Sequence, residues 1–373
     1  MTVMRVFARC LGLWCLVLVG AGHSDVQADD MTAYQQLNDG LIAGHVIPRY
    51  EALVEATAVL ERSAAGFCDA PQPAVLATLR EDFHGAMDAW MSVQHIRFGP
   101  VELFLRYDRY AFWPDKRNAT GRQLDALLAA ADPAELETQA FGRGSVAVQG
   151  FTALERLLFS ADSESKLVDA AAEEPYRCAL VNTIAANLSR MSADTLSEWR
   201  EGERPFTQVI ATASEDNTHY RDAREATLDF FKALHGSLQF VADLKLSRPL
   251  GSALDKAKPR RAESWRSARS LDNLQANLAA VEALYADEAG FGRYVIEEAK
   301  DEALDRELRD RLASLRAVAE DVKGPLSDAV ADPNERPKLE RLLVDVQDTR
   351  QLVETRLSAA LGVQVGFNAF DGD

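Results

Sequence analysis

Apolar residues recur every three to four positions along most of this chain, a spacing that is typical of amphipathic helices. No clear run of alternating apolar and polar residues indicates a strand. The spacing predicts helices over 31–66, 73–97, 121–131, 133–140, 145–160, 174–200, 218–245, 270–288, 293–321 and 336–361. The chain is therefore predicted to be all-α. The first helix is expected to bend at Pro48, which cannot continue the backbone hydrogen bonding.

Chain length and helix order together predict how these helices pack. Long helices joined by short links form antiparallel bundles. A single core rarely grows far beyond about 250 residues, and this chain has 373. The sequence Glu-Gly-Glu-Arg-Pro at 201–205 is a polar break between predicted helices. We therefore expect two packed helical bundles, the first over 29–200 and the second over 201–373.

The N-terminus has the parts of a secretory signal peptide. Arg5 and Arg9 precede an apolar run over 11–22, and Val26-x-Ala28 fits a small-residue cleavage signal. This pattern predicts a signal peptide over 1–28, cleavage after Ala28 and a periplasmic location. The alternative is a membrane anchor, but the apolar run is shorter than the roughly 20 residues that span a bilayer. No later stretch is apolar enough to span one, so the mature chain is expected to have no transmembrane segment.

The charge of the mature chain limits its partners. Removal of residues 1–28 leaves 39 Lys and Arg against 57 Asp and Glu, a net charge of −18. Such a surface repels phosphate backbones, which argues against a nucleic-acid partner. Cations and basic proteins are better candidates, and a protein of the cell envelope could be one of them.

Two of the four cysteines, Cys10 and Cys15, leave with the signal peptide. The remaining pair, Cys68 and Cys178, would face an oxidising compartment, which favours a disulfide. The alternative is two separate buried thiols.

The predicted helix over 145–160 carries the most informative polar residue. On that helix Glu155 lies within an apolar surface, so its carboxylate needs a partner, a metal or a proton. Gly150 is unfavourable inside a helix unless something packs closely against it. One interpretation is a ligand site at Gly150, Thr152 and Glu155. The other is a structural ion pair between Glu155 and an arginine. The candidate arginines, which could also bind an anionic ligand group, are Arg97, Arg122 and Arg143.

Other patterns are less specific. The chain has no His-Glu-x-x-His and no Gly-x-Ser-x-Gly sequence. His84, Asp88 and His95 could share a helix face, either as a second ligand set or as a solvated surface. His45, shortly before Pro48, is a further candidate for a pocket. The stretch over 247–262 is rich in proline and basic residues and is predicted to be a long loop, and such loops are often functional.

Several short segments resemble those of imelysin-like proteins, which carry Gly-x-His-x-x-Glu on such a helix. The matching segments are Gly150-Phe-Thr-Ala-Leu-Glu155, Leu157-Leu158-Phe159, Arg97-Phe98-Gly99-Pro100, Phe112-Trp113-Pro114-Asp115, Tyr176-Arg177-Cys178-Ala179, 258–267 and the ending from Gly366 to Asp373. The resemblance implies two helical domains with a pocket between them, lined partly by the motif. It also implies an extracytoplasmic location and a link to iron uptake, and the family is named after a proposed metallopeptidase.

One position departs from the family motif. Thr152 stands where the motif has His, and a hydroxyl is a poorer ligand than imidazole for zinc or ferrous iron. We therefore expect a non-catalytic binding or accessory protein linked to iron or metal acquisition. Its ligand would be a small molecule, a divalent metal or iron, with Glu155 and His45 as the candidate metal ligands. The alternatives are a metal-dependent peptidase and a structural protein that docks a partner between its bundles.

Overall fold

The computed structural model describes the backbone of residues 22–363 and the side chains of residues 31–363. Most of the predicted signal peptide and the ending from Gly366 lie outside the described residues. Across 22–363 every regular element is helical, as the apolar spacing predicts. None of the helices described has both the length and the apolar character needed to cross a membrane.

The α-helices of the first half begin with a long pair, and the last of them, α8, is the longest α-helix among the described residues. They are α1 (Gly22–Leu41), α2 (Ile47–Asp69), α3 (Pro73–Val93), α4 (Arg106–Tyr110), α5 (Ala119–Ala130), α6 (Thr138–Arg143), α7 (Gly150–Phe159) and α8 (Pro175–Arg200). Short 3-10 segments at Gly99–Leu105, Pro133–Leu136 and Val146–Val148 connect some of them.

The α-helices of the second half follow the polar break at 201–205. They are α9 (Phe206–Ala211), α10 (Ala223–Phe240), α11 (Ser247–Leu250), α12 (Ser270–Ala286), α13 (Phe291–Glu297), α14 (Glu302–Asp321), α15 (Leu326–Ala329), α16 (Arg336–Leu352) and α17 (Ser358–Ala360). Wider π-helical turns at Val241–Leu246 and Val353–Leu357 extend α10 and α16. The predicted loop over 247–262 contains α11 and two short 3-10 turns.

The first bundle is built from α2, α3, α7 and α8. Its core is aromatic: the rings of Phe83 and Phe151 meet edge to face at 5.9 Å, and Trp90 stacks on Tyr110 at 4.5 Å. These side chains are fully buried, and each such burial stabilises the fold by about 1.5–3 kcal/mol. A disulfide between Cys68 of α2 and Cys178 of α8 confirms the predicted pairing.

The second bundle is built from α10, α12, α14 and α16. The predicted apolar repeat of the last long helix faces its core, where Leu339, Leu342 and Val346 are fully buried. On α14, Leu308 and Leu315 are buried in the same way. The two packed helical bundles expected from the sequence are thus confirmed.

Helix α1 precedes the first bundle in sequence but packs on the second. The side-chain amide of Asn38 donates to the Ala223 carbonyl at 2.8 Å, and its oxygen accepts from Thr227 Oγ1 at 2.8 Å. The Tyr34 hydroxyl donates to the Leu361 carbonyl at 2.7 Å. The predicted domain boundary at residue 200 stays a prediction. In these hydrogen bonds α1 contacts residues after that boundary, although α1 itself precedes it in sequence.

A π turn at Ile42–Val46 joins α1 to α2, so that one long helix runs between the bundles. The N–H of Ile47 donates to the carbonyl of Ile42, five residues back. Pro48 follows immediately and has no N–H, so a regular α-helical turn could not be completed here. The irregularity expected at Pro48 therefore takes the form of a wider turn just before it.

We expect a Cys68→Ala/Cys178→Ala double variant to be less stable than the wild-type protein by about 4 kcal/mol, because the disulfide closes a long loop. Urea denaturation of both proteins gives this difference. Reducing agent should lower the stability of the wild-type protein alone. Free thiols at both positions in non-reducing peptide mapping of the mature protein would contradict the pairing.

Candidate functional site

A cavity of about 550 Å³ opens where the two bundles meet. Helix α7 contributes Thr152 and Glu155 to its wall, and the loop before α5 contributes Trp113 and Asp115. The opposite wall comes from the segment 260–266 of the second half. The volume is within the range of sites for small molecules and cofactors.

Gly150 positions α7 against the rest of the first bundle. Its φ is +73°, and a Cβ atom there would lie 2.0 Å from the carbonyl oxygen of Arg109 and 2.3 Å from that of Tyr110. Only glycine fits this backbone approach. The helix therefore begins at Gly150, five residues later than the sequence predicts, and Gly150 is its first residue instead of an interior one.

Glu155 joins the two halves of the cavity wall. Its Oε1 accepts hydrogen bonds from the backbone N–H groups of Arg266 and Ser267 and from the Ser267 hydroxyl, each at 3.0 Å. The side chain is 4% exposed. Burial raises the pKa of the Glu155 carboxyl, although the bonds from Ser267 and the charge of Arg266 oppose that rise. The partner that this carboxylate needs is thus the backbone of a segment 111 residues away.

A buried ion pair supports the same segment from behind. Lys245 Nζ lies 2.7 Å from Oε2 of Glu263, and both side chains are nearly inaccessible. Asn273 also donates to Glu263, and Asn277 bonds Lys245. Burial lowers the pKa of Lys245, and the charge of Glu263 opposes that shift. A pair of this kind is costly to break, so it fixes the backbone that carries the cavity wall.

Basic side chains dominate the cavity, and the sequence did not single them out. They are Lys116, Arg156, Arg248, Arg260, Arg261 and Arg266. Arg248, Arg260 and Arg261 lie within the basic stretch over 247–262 that was predicted to be a long loop, and this stretch is the signal that could have found them. Their grouping depends on how that stretch folds back onto α7.

The arginines expected near Glu155 lie elsewhere. The guanidinium of Arg97 stacks over the rings of Tyr107 and Phe240, with its carbon 4.1 and 5.3 Å from the ring centres. Arg122 is exposed and donates to the carbonyl of Arg117. Arg143 is exposed at the end of α6 and lines a different cavity. Of the proposed site residues, the structure brings Thr152 and Glu155 to the wall between the bundles.

His45 lies in the π turn between α1 and α2 and is paired with His95. Their Nε2 atoms are 2.7 Å apart, and both rings are buried. Burial lowers the pKa of His45, as does the proximity of His95 and Arg49. Burial and the charge of Arg49 lower the pKa of His95 to about 3. His45 also lines a second cavity of about 370 Å³, which is separate from the cavity at Glu155.

The other histidine pattern is not brought together. His84 packs between the rings of Phe83 and Phe159. Asp88 is paired with Arg269 of the second half. Among residues 31–363, no group of three or more His, Cys, Asp or Glu side chains is placed to hold a metal ion.

Comparison with known proteins identifies relatives at the level of family and fold. The peptidase M75 family model, described as imelysin, matches residues 46–353. An imelysin-like protein from Psychrobacter arcticum has a TM-score of 0.73 and 20% identity, with 90% of this chain and 98% of that chain covered. A protein from Parabacteroides distasonis, described as an iron-regulated protein A precursor, has a TM-score of 0.73 and 13% identity, with 87% and 94% covered. No curated protein matches this sequence.

We expect Glu155→Ala to lower the free energy of unfolding by about 2–4 kcal/mol, because it leaves buried donors of Arg266 and Ser267 without an acceptor. Glu155→Gln keeps an acceptor oxygen and should lose less. Glu55→Ala, on the exposed face of α2, is the matched control. Unchanged stability in Glu155→Ala would contradict the structural role of this carboxylate.

The raised pKa of Glu155 adds a pH dependence to that comparison. The folded state binds the proton of the Glu155 carboxyl more readily than the unfolded state does. The contribution of Glu155 to the free energy of unfolding therefore increases as the pH falls towards the ordinary pKa of a glutamate side chain. From about pH 7 down to about pH 4.5, wild-type stability should rise relative to that of Glu155→Gln. Chemical denaturation at the two pH values measures the difference, and a constant difference would contradict it.

The histidine pair should act in the opposite direction. Because the pKa values of His45 and His95 are lowered, the folded state binds fewer protons, and stability is lost as the pH falls below about 6.5. We expect His95→Gln to reduce the loss of stability between about pH 7 and about pH 5 by about 1 kcal/mol per pH unit. His219→Gln, at an exposed position outside the pair, is the matched control. Equal slopes in wild type and His95→Gln would count against this assignment.

Proposed function

Because the chain belongs to the imelysin family, we propose that it is a periplasmic binding protein that holds a small ligand between its two bundles. The proposed role is an accessory one in iron or metal acquisition, without catalysis of a reaction. The observation that carries the proposal is the cavity of about 550 Å³, whose wall is supplied by both bundles and is held together at Glu155. Sites of this size between two structural units are the usual places for small ligands.

The proposed location rests on the N-terminal pattern and on the disulfide. A positive start, an apolar run and Val26-x-Ala28 form a signal for export. The bond between Cys68 and Cys178 fits an oxidising compartment such as the periplasm. The link to iron comes from the similarity to the Parabacteroides protein, which is described as iron-regulated.

The motif residues do not fit a directly bound resident metal. Glu155 uses Oε1 for three hydrogen bonds, and Thr152 offers a hydroxyl in place of an imidazole. Arg156 and Arg266 line the same cavity and would repel a bare cation. A metal that this protein transports or delivers would therefore be cargo held inside a larger complex.

The peptidase name of the family model supports a second candidate, a metal-dependent peptidase. That activity needs a metal with an open coordination position and a base beside it. Glu155 is the acidic residue that could serve as this base, and burial raises the pKa of its carboxyl. The binding role is preferred because the same carboxylate is committed to the segment of the second half.

To test the binding role, the mature protein is purified from the native periplasm and analysed by native mass spectrometry and elemental analysis. A cavity-filling variant, Thr152→Trp, is compared with Thr78→Trp, which adds the same side chain to an exposed position on α3. We expect a small molecule on the wild-type protein and on Thr78→Trp, at least tenfold less of it on Thr152→Trp, and no cleavage of an unfolded protein substrate.

Two results would overturn this proposal. Metal-dependent cleavage by the wild-type protein that is lost in Thr152→Trp would support the peptidase. A wild-type protein without a small ligand that instead retains a protein partner through the same face would support the docking role.

A further inference from the structure

The charges that line the cavity contrast with those of the chain as a whole. Six basic side chains and three acidic ones line it, in a chain whose net charge is −17. Asp115 accepts from the backbone N–H groups of Ala119 and Thr120, and Glu155 accepts from those of Arg266 and Ser267. Glu263 pairs with Lys245 through Oε2, and its Oε1 has no hydrogen-bond partner among the described residues. With six basic side chains against three acidic ones, positive charge is in excess on the cavity wall.

Two of the arginines have no partner in the part of the chain that the structure describes. Arg248 is half-buried, and Arg261 is exposed at the cavity rim. Neither side chain makes a hydrogen bond or an ion pair with a described residue, whereas Arg106, Arg269 and Arg336 are all paired with carboxylates. A half-buried guanidinium without a partner loses hydration without compensation, and an anion that enters the cavity supplies that compensation.

Trp265 arranges two further arginines on the wall. The guanidinium carbon of Arg266 lies 4.4 Å from the centre of its ring and that of Arg260 lies 5.4 Å away. Stacking on an aromatic ring holds a guanidinium in place while its N–H groups remain free to donate. Paired donors of this kind suit carboxylate and phosphate oxygens.

Thr120 gives a second indication of a missing polar partner. Its side chain is 3% exposed and lies on the cavity wall, and its hydroxyl has no hydrogen-bond partner among the described residues. An unsatisfied buried hydroxyl costs free energy until a partner reaches it.

We infer that the cavity selects a small anion with two or more carboxylate or phosphate groups, either free or as its ferric complex. This inference rests on the proposed binding function and adds the chemical class of the ligand. The cavity volume of about 550 Å³ limits the ligand to a small molecule, so a nucleic acid is not a candidate. Fe³⁺ is a hard cation that oxygen ligands carry, and the anion therefore connects the basic cavity to iron.

Isothermal titration of the mature, dialysed protein tests the inference with four probes: citrate, ferric citrate, inorganic phosphate and glucose as the neutral molecule. The test variant is Arg248→Gln/Arg261→Gln, which removes the two unpaired charges. The control is Arg306→Gln, which removes an exposed charge on α14 outside the cavity. We expect citrate or ferric citrate to bind at least tenfold more tightly than glucose and more tightly than inorganic phosphate, which carries a single anionic group. The double variant should lose at least tenfold in that affinity, and the control should not.

The results distinguish a free anion from its ferric complex, and they distinguish failure of the anion inference from failure of the proposed binding function. Tighter binding of ferric citrate than of citrate identifies the ferric complex as the ligand form, and equal or weaker binding identifies the free anion. No binding of citrate or ferric citrate at millimolar concentration, or binding that the double variant leaves unchanged, overturns the inference. If a neutral or cationic molecule is then found on the native protein and is lost in Thr152→Trp, the binding function stands without the anion. If no ligand is found on the native protein and no probe binds, both the anion inference and the proposed binding function are overturned.

Discussion

The carboxylate of Glu155 is the contact on which the architecture between the bundles depends. It lies on a helix of the first bundle, and its Oε1 accepts hydrogen bonds from two backbone N–H groups and a hydroxyl of the second half. Those donors belong to the segment that also holds Trp265 and the basic side chains around it. The buried pair of Lys245 and Glu263 fixes the same segment from the other side. The shape and the charge of the cavity both follow from where this segment is held.

Much of the fold could be predicted because it depends on local spacing. Apolar residues three to four positions apart determine where the helices lie, and the two cysteines that follow the predicted signal peptide indicate a bond. Glu155 could also be recognised as a buried carboxylate that needs a partner. The identity of that partner could not be predicted. Nearly every residue has a backbone N–H group, so the sequence does not indicate which of them donates to Glu155. The same limit applies to Gly150, whose role becomes visible only when the carbonyls of Arg109 and Tyr110 are seen beside it.

The arginines of the cavity show a different limit. The arginines predicted to lie near Glu155 were Arg97, Arg122 and Arg143, which all precede it in the sequence. The side chains that line the cavity with it include Arg248, Arg260 and Arg266, about one hundred residues away in sequence. The net charge was also an incomplete guide, because a chain with a net charge of −17 has a cavity lined by six basic side chains and three acidic ones. The overall charge therefore describes large partners better than it describes a small ligand.

The continuous helix formed by α1 and α2 has a consequence for how the cavity fills. Many two-lobed binding proteins enclose their cargo by swinging one lobe about flexible strands. Here such a movement would have to bend a helix shared by both bundles, at the π turn where His45 is held by His95. It would also have to separate Glu155 from Ser267. For the proposed ligand we therefore expect a cavity of nearly constant shape, in which the charges of the wall hold the ligand and its release needs no large rearrangement of the protein.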